Sequence, residues 1–145
     1  MRIFCIIFVS QINKMVNIDK IKDAGLKITP QRKAVYEAMM ELRHATVDEI
    51  IQHVQAMDSG ITVSTIYRIL DSFCKAHILA LVFHPDLGKS YYDITTTNHH
   101  HVLDGKKIVD YIDDDLTEMI KKHLEGNHFT ADEIDKIQVQ ITIKH

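Results

Sequence analysis

The chain is 145 residues long, 46% apolar and 26% charged, with no Trp and two cysteines, Cys5 and Cys74. That is the composition of a globular protein of one domain or two small ones, and two cysteines without a CxxC exclude a disulfide scaffold, a four-cysteine zinc site and a thioredoxin-like redox pair. The formal charge of −3 is unevenly spread, with nine basic and nine acidic side chains over residues 15–92 but six and eleven from 93 onward, which argues against non-specific coating of nucleic acid and leaves room for a reader whose positive charge is local.

The first nine residues place Arg2 before an apolar run that is too short to cross a bilayer. No small-residue cleavage site follows. Residues 1–14 are therefore expected to be an extension, with Met15 as the natural initiator, and no membrane partner is expected. Two cysteines without a framework suit a reducing cytoplasm.

Residues 16–24 space Val16, Ile18, Ile21 and Ala24 as one apolar stripe before Gly25, which predicts a short amphipathic helix. Thr29-Pro30 is a helix start, and Val35, Ala38, Met39 and Leu42 carry the stripe over about 30–42. Thr46 and Glu49 form a capping box ahead of Val47, Ile50, Ile51 and Val54, and Asp58-Ser59-Gly60 ends that third helix. A fourth begins after Thr62, with Val63, Ile66, Ile69, Leu70 and Phe73 on its inner side, and stops near His77. Cys74 on that side reads as a buried small hydrophobe. Leu79–His84 and Lys89–Ile94 read as strands around the turn Pro85-Asp86-Leu87-Gly88. Helices followed by a hairpin make the order of a winged helix-turn-helix over residues 15–94.

After a polar connector, 95–98, the character changes. HHHVL and KKIVDYI flank Asp104-Gly105, a hairpin signal. A helix is expected over 114–125, with the Asp113-Asp114-Asp115 run at its N-terminus where acidic charge suits the dipole, and Ile137–Ile143 alternates as a half-buried strand. The fold class is thus α+β, a winged helix followed by a small α/β unit over 99–145.

His99, His100 and His101 are the most informative residues. On a strand His99 and His101 share a face and His100 takes the other. With Asp104-Gly105 as a two-residue loop, Leu103 pairs with Lys106, His101 with Ile108 and His99 with Asp110, so two imidazoles and a carboxylate converge. Such a set suits Fe(II), Mn(II) or Zn(II). An exposed histidine run in which Asp110 only neutralises a protonated His99 is the other reading, and sequence alone leaves both open. Ser64, Thr65, Tyr67 and Arg68 form the polar face of the fourth helix, either a DNA-reading face or a solvated one.

Taken together, GLKITPQR, RHATVDEI, TVSTIYRILD, YYDI, the histidine run and KKIVDY resemble the ferric uptake regulator family of metal-sensing repressors, from Gly25 to the C-terminus. The resemblance implies a homodimer that binds a palindromic operator when metal-loaded, and is not an enzyme. It places the regulatory ligands on His44, Asp93, His99, His101 and Asp110, with His44 in the DNA-binding domain and the others in the linker and C-terminal domain, and adds Arg32 to the DNA contacts. Asp at 93 and 110 resembles the peroxide-sensing branch, in which Fe(II) and hydrogen peroxide oxidise a ligand histidine, here His44 or His99. A regulator of iron or zinc uptake that reads occupancy alone is the nearest alternative, and a non-haem iron enzyme is one from another class. The structural zinc that the family usually holds with two CxxC pairs cannot form here.

Overall fold

The structure is a computed structural model that describes residues 18–94 and 99–145. The expected extension over 1–14 and the connector over 95–98 lie outside the described residues. The chain divides into two compact units, one on each side of Thr95/Thr96.

In the first unit, residues 18–23 are helical (α1), as far as the expected helix falls within the described residues, and Gly25 follows with φ +80°. Helices α2 (Pro30–Leu42), α3 (Val47–Met57) and α4 (Val63–Lys75) stand where the caps put them. Thr29, Thr46 and Thr62 each accept from a backbone N–H of the first turn, and Glu49 returns the bond to the Thr46 N–H. These bonds satisfy N–H groups that the first turn would otherwise leave open.

The inner faces of α2, α3 and α4 close one apolar cluster that includes Ile21, Val35, Met39, Ile50, Val54, Ile66, Leu70 and Phe73. Tyr36 packs edge-on to Phe73 with ring centroids 6.3 Å apart. Cys74 is half-buried against this cluster, not fully enclosed, because it sits at the margin of the α4 stripe.

Strands β2 (Ala80–His84) and β3 (Lys89–Asp93) form the expected wing hairpin. A third strand, β1 (His44–Ala45), pairs antiparallel with β3 and gives the order β1-β3-β2. Nothing in the sequence marks β1, since two residues carry no periodicity. It forms because Arg43, at φ 66°, turns the chain out of α2 while its N–H still bonds the Met39 carbonyl.

In the second unit, β4 (His100–Asp104) and β5 (Lys107–Tyr111) form a hairpin, and β6 (Gln140–Thr142) lies parallel to β4, giving β5-β4-β6. Helix α5 (Asp114–Glu125) starts at Asp113, whose side chain accepts from the Leu116 N–H. The last strand is shorter than the alternation suggests, because only three of its residues meet β4.

The hairpin register differs from the sequence reading. Asp104 pairs with Lys107, Leu103 with Ile108 and His101 with Asp110, so the loop is Gly105-Lys106. Gly105 takes φ +59° while Asp104 has no positive φ, which fits a turn with glycine first in the loop rather than one that needs both residues left-handed. The offset is two residues, so every side chain keeps its face. Among the described residues no helix is long and apolar enough to cross a membrane.

Candidate metal centre

Strand pairing in each unit assembles part of the expected ligand set. In the first unit the β1–β3 register sets His44 directly opposite Asp93, with His44 Nε2 3.5 Å from Asp93 Oδ1. Asp93 is the last residue of β3 and belongs to the first unit, not to the linker as the resemblance implied. Its side chain is 1% exposed, and a carboxylate so buried demands cationic or hydrogen-bonding company.

In the second unit His99 precedes β4 and His101 lies within it, so that the alternation places both rings on one face. Their Nε2 atoms approach to 3.1 Å, with the rings edge-on. Asp110, across from His101 rather than from His99, brings Oδ1 to 3.6 Å from His99 Nε2 and 3.8 Å from His101 Nε2. Both imidazoles are enclosed while the Asp110 side chain is 29% exposed.

These separations can be compared with what one ion requires. Two donors about 2.1 Å from the same cation lie about 3.0 Å apart when adjacent and about 4.2 Å apart when opposite. The distances of 3.1, 3.6 and 3.8 Å in the second unit fall inside that range, as does the 3.5 Å of the His44–Asp93 pair. Nitrogen and carboxylate oxygen without sulfur suit Fe(II), Mn(II) or Zn(II). The residues present therefore fit a divalent transition metal.

His100 faces the other way. It is buried, its Nδ1 accepts the Val139 N–H at 2.9 Å, and its Nε2 lies 2.8 Å from Thr117 Oγ1. Alternation along the strand foretold the opposite face but not these partners, which come from residues 17 and 39 positions away.

On α4, Ser64, Tyr67 and Arg68 are exposed opposite the buried stripe of Ile66, Ile69, Leu70 and Phe73. Thr65 is half-buried, and its hydroxyl lies 2.9 Å from that of Thr62. Arg32 Nη1 donates to the Lys27 carbonyl at 2.7 Å, which ties the guanidinium to the segment ahead of α2. Burial, and then the nearby Asp71 charge, push the Cys74 thiol up, away from the thiolate that redox chemistry requires.

The ferric uptake regulator family model matches residues 23–141, which takes in most of both units. The chain belongs to this family of metal-dependent transcriptional regulators. It is 31% identical over 111 residues to the ferric uptake regulation protein of Vibrio cholerae serotype O1, covering 73% of each chain. It is also 36% identical over 98 residues to the peroxide-responsive repressor PerR of Staphylococcus epidermidis, covering 66% of this chain and 65% of that one.

Among solved structures, the ferric uptake regulator of Vibrio cholerae superposes with a TM-score of 0.70 at 24% identity, over 89% of this chain and 99% of that one. The peroxide stress regulator of Campylobacter jejuni gives 0.67 at 22% identity, over 86% and 90%. These two establish the fold. This chain contains no CxxC.

Proposed function

We propose that the protein is a homodimeric metal-dependent repressor in which one Fe(II) or Mn(II) is held jointly by His44, Asp93, His99, His101 and Asp110. The observation that carries the reading is the convergence of the His99, His101 and Asp110 donor atoms within 4.8 Å of one another. Three donors are fewer than a divalent first-row metal takes, and the His44–Asp93 pair supplies two more of the same chemistry. An ion shared in this way selects one arrangement of the DNA-binding unit, and its loss releases that arrangement. Zn(II) can occupy the same donors in vitro.

DNA contact falls to α4, whose exposed Ser64, Tyr67 and Arg68, with Thr65 beside them, offer hydroxyls and one guanidinium to phosphates and base edges. Arg32 adds a charge at the start of α2. The second unit leaves Val109, Tyr111, Ile112, Met119 and Ile143 exposed, and a second copy would cover such apolar surface. A two-fold dimer in turn calls for a palindromic operator.

We further infer peroxide sensing. Asp at both 93 and 110 supports it, and so does the similarity to peroxide-responsive repressors. Bound Fe(II) supplies the one-electron chemistry that peroxide needs. The chain supplies His44 and His99 as the imidazoles to be oxidised, and an oxidised imidazole is a weaker donor, so the clamp on the DNA-binding unit loosens. The second reading, a regulator of iron or zinc uptake that responds to occupancy alone, is favoured by the 31% identity to the Vibrio ferric uptake regulation protein.

Mass spectrometry of anaerobic Fe(II)-loaded protein, before and after a small excess of hydrogen peroxide and with a Mn(II) control, separates the two. Oxygen addition on the His44 or His99 peptide with iron alone, together with loss of operator binding, is the expected result. Unmodified protein that still binds DNA overturns peroxide sensing and leaves the occupancy reading. Asp110→Glu is expected to keep metal-dependent repression and blunt the peroxide response.

A further inference from the structure

The middle residue of the histidine run contributes nothing to the donor set, yet it is as deeply buried as its neighbours. Its ring is saturated by hydrogen bonds. The Val139 backbone N–H points at Nδ1 from 2.9 Å, and an amide can only donate, so Nδ1 carries the lone pair. A neutral imidazole then has its proton on Nε2, which donates to Thr117 Oγ1 at 2.8 Å. The Thr117 hydroxyl donates onward to the Asp113 carbonyl at 3.1 Å. Every donor in this chain has an acceptor, and neither ring nitrogen is left to a metal.

One short stretch of chain, Gln138 by its side chain and Val139 by its backbone, bonds to all three histidines. Gln138 Nε2 approaches the His99 carbonyl at 3.5 Å, the Val139 N–H bonds the His100 ring, and the His101 N–H donates to the Val139 carbonyl at 2.9 Å. The His100 side chain binds both α5, through Thr117, and the segment leading into β6, through Val139.

We propose that His100 is a positioning residue for the metal-binding triad, a neutral Nε2-protonated strut that fixes β4 between α5 and the entry to β6 and so holds His99 and His101 in place on the opposite face. The proposal rests on the metal reading of His99, His101 and Asp110. Hydrogen-bonded supports behind metal ligands commonly contribute about 10–100-fold in affinity.

The experiment is long-range 1H–15N correlation of the histidine rings in the full chain, with and without Zn(II) as the probe, paired with Zn(II) competition titrations of variants. His100 is expected to give the Nε2–H pattern in both states while the His99 and His101 nitrogens shift on adding zinc. A zinc-induced shift of a His100 nitrogen makes it a ligand and overturns the proposal. His99 and His101 shifts unmoved by zinc remove the metal reading, and the positioning role with it, a result distinct from the first.

Thr117→Val, which removes the Nε2–H acceptor at nearly constant volume, is expected to weaken zinc about tenfold. His100→Leu should weaken it at least as much, and His100→Asn, whose carboxamide oxygen can accept the Val139 N–H, should recover affinity relative to Leu. The Co(II) absorption bands should be unchanged in Thr117→Val and His100→Asn, because the donor set is intact. Unaltered zinc affinity in both Thr117→Val and His100→Leu, or altered Co(II) bands in His100→Asn, overturns the strut.

Discussion

The first unit buries a continuous apolar cluster contributed by α1 to α4 and the wing, whereas in the second Leu103 is the one apolar side chain buried among the described residues and its other buried side chains are His99, His100 and His101. Both units leave large apolar side chains exposed, Ile28, Met57, Val63, Tyr67, Leu81 and Phe83 in the first and Val109, Tyr111, Ile112, Met119, Phe129, Ile141 and Ile143 in the second, so the two differ in what they bury. Hydrocarbon stabilises on contact with hydrocarbon and needs no further partner. Imidazole stabilises only where its nitrogens are hydrogen-bonded or coordinated. A unit whose buried side chains are largely imidazoles therefore depends on partners for their nitrogens in a way that one packed on Ile and Phe does not.

The strongest way to sharpen this contrast is to remove one imidazole. His101→Ala is expected to abolish metal-dependent operator binding, measured as the difference in DNA affinity with and without Mn(II), while the amide protection of α2, α3 and α4 stays as in the parent. A metal response retained in the variant would sink the five-donor proposal.

The converse removes hydrocarbon. Phe73→Ala should cost the first unit about 3–5 kcal/mol, since the site is fully enclosed and Tyr36 loses its edge-on partner. Hydrogen exchange resolved by residue checks it: α2–α4 lose protection and β4–β5 keep theirs. Equal loss in both would mean that the two units unfold as one and that their stabilities are not separate.

Chelation should act on the other side. At a free metal concentration a hundredfold above its dissociation constant, binding adds about 2.7 kcal/mol. Adding a chelator to metal-loaded protein should therefore lower protection in β4 and β5 by an amount that tracks the metal concentration. Protection that ignores chelator would place the stability of the second unit in its packing alone.

Legibility in the sequence follows the same divide. Helices α2, α3 and α4 were readable because each begins at a threonine cap and runs on a three- and four-residue apolar spacing, both local signals. The strand pairing of His44 with Asp93 has no local signal, and the two come together in the sequence only through the family resemblance. The pairing depends on β1, two residues long and defined only by pairing with β3 across intervening chain.

The hairpin shows an intermediate case. Asp104-Gly105 marked the turn but not which residue leads the loop, and the observed Gly105-Lys106 loop moves Asp110 from His99 to His101. The shift is even, so the face, and with it the convergence of the two imidazoles with the carboxylate, was legible all the same. Roles that depend on distant backbone, such as the Val139 N–H on His100, leave no local signature.

The smallest effect concerns the start of α5, where the second unit does use an ordinary local device. The Leu116 N–H, then the Tyr111 hydroxyl at 2.9 Å, hold the Asp113 carboxyl below the usual carboxylate range. A depressed folded-state pKa means that the stabilisation is fully present above the unfolded value, about pH 4, and is lost as pH falls through the lower folded value. Asparagine caps a helix comparably and does not titrate in this range. Amide protection in the first turn of α5 should thus fall on acidification below about pH 4 in the parent and stay flat in Asp113→Asn, the two being similar at neutral pH. A parallel fall in the variant would rule out the Asp113 cap as the source of the acid sensitivity.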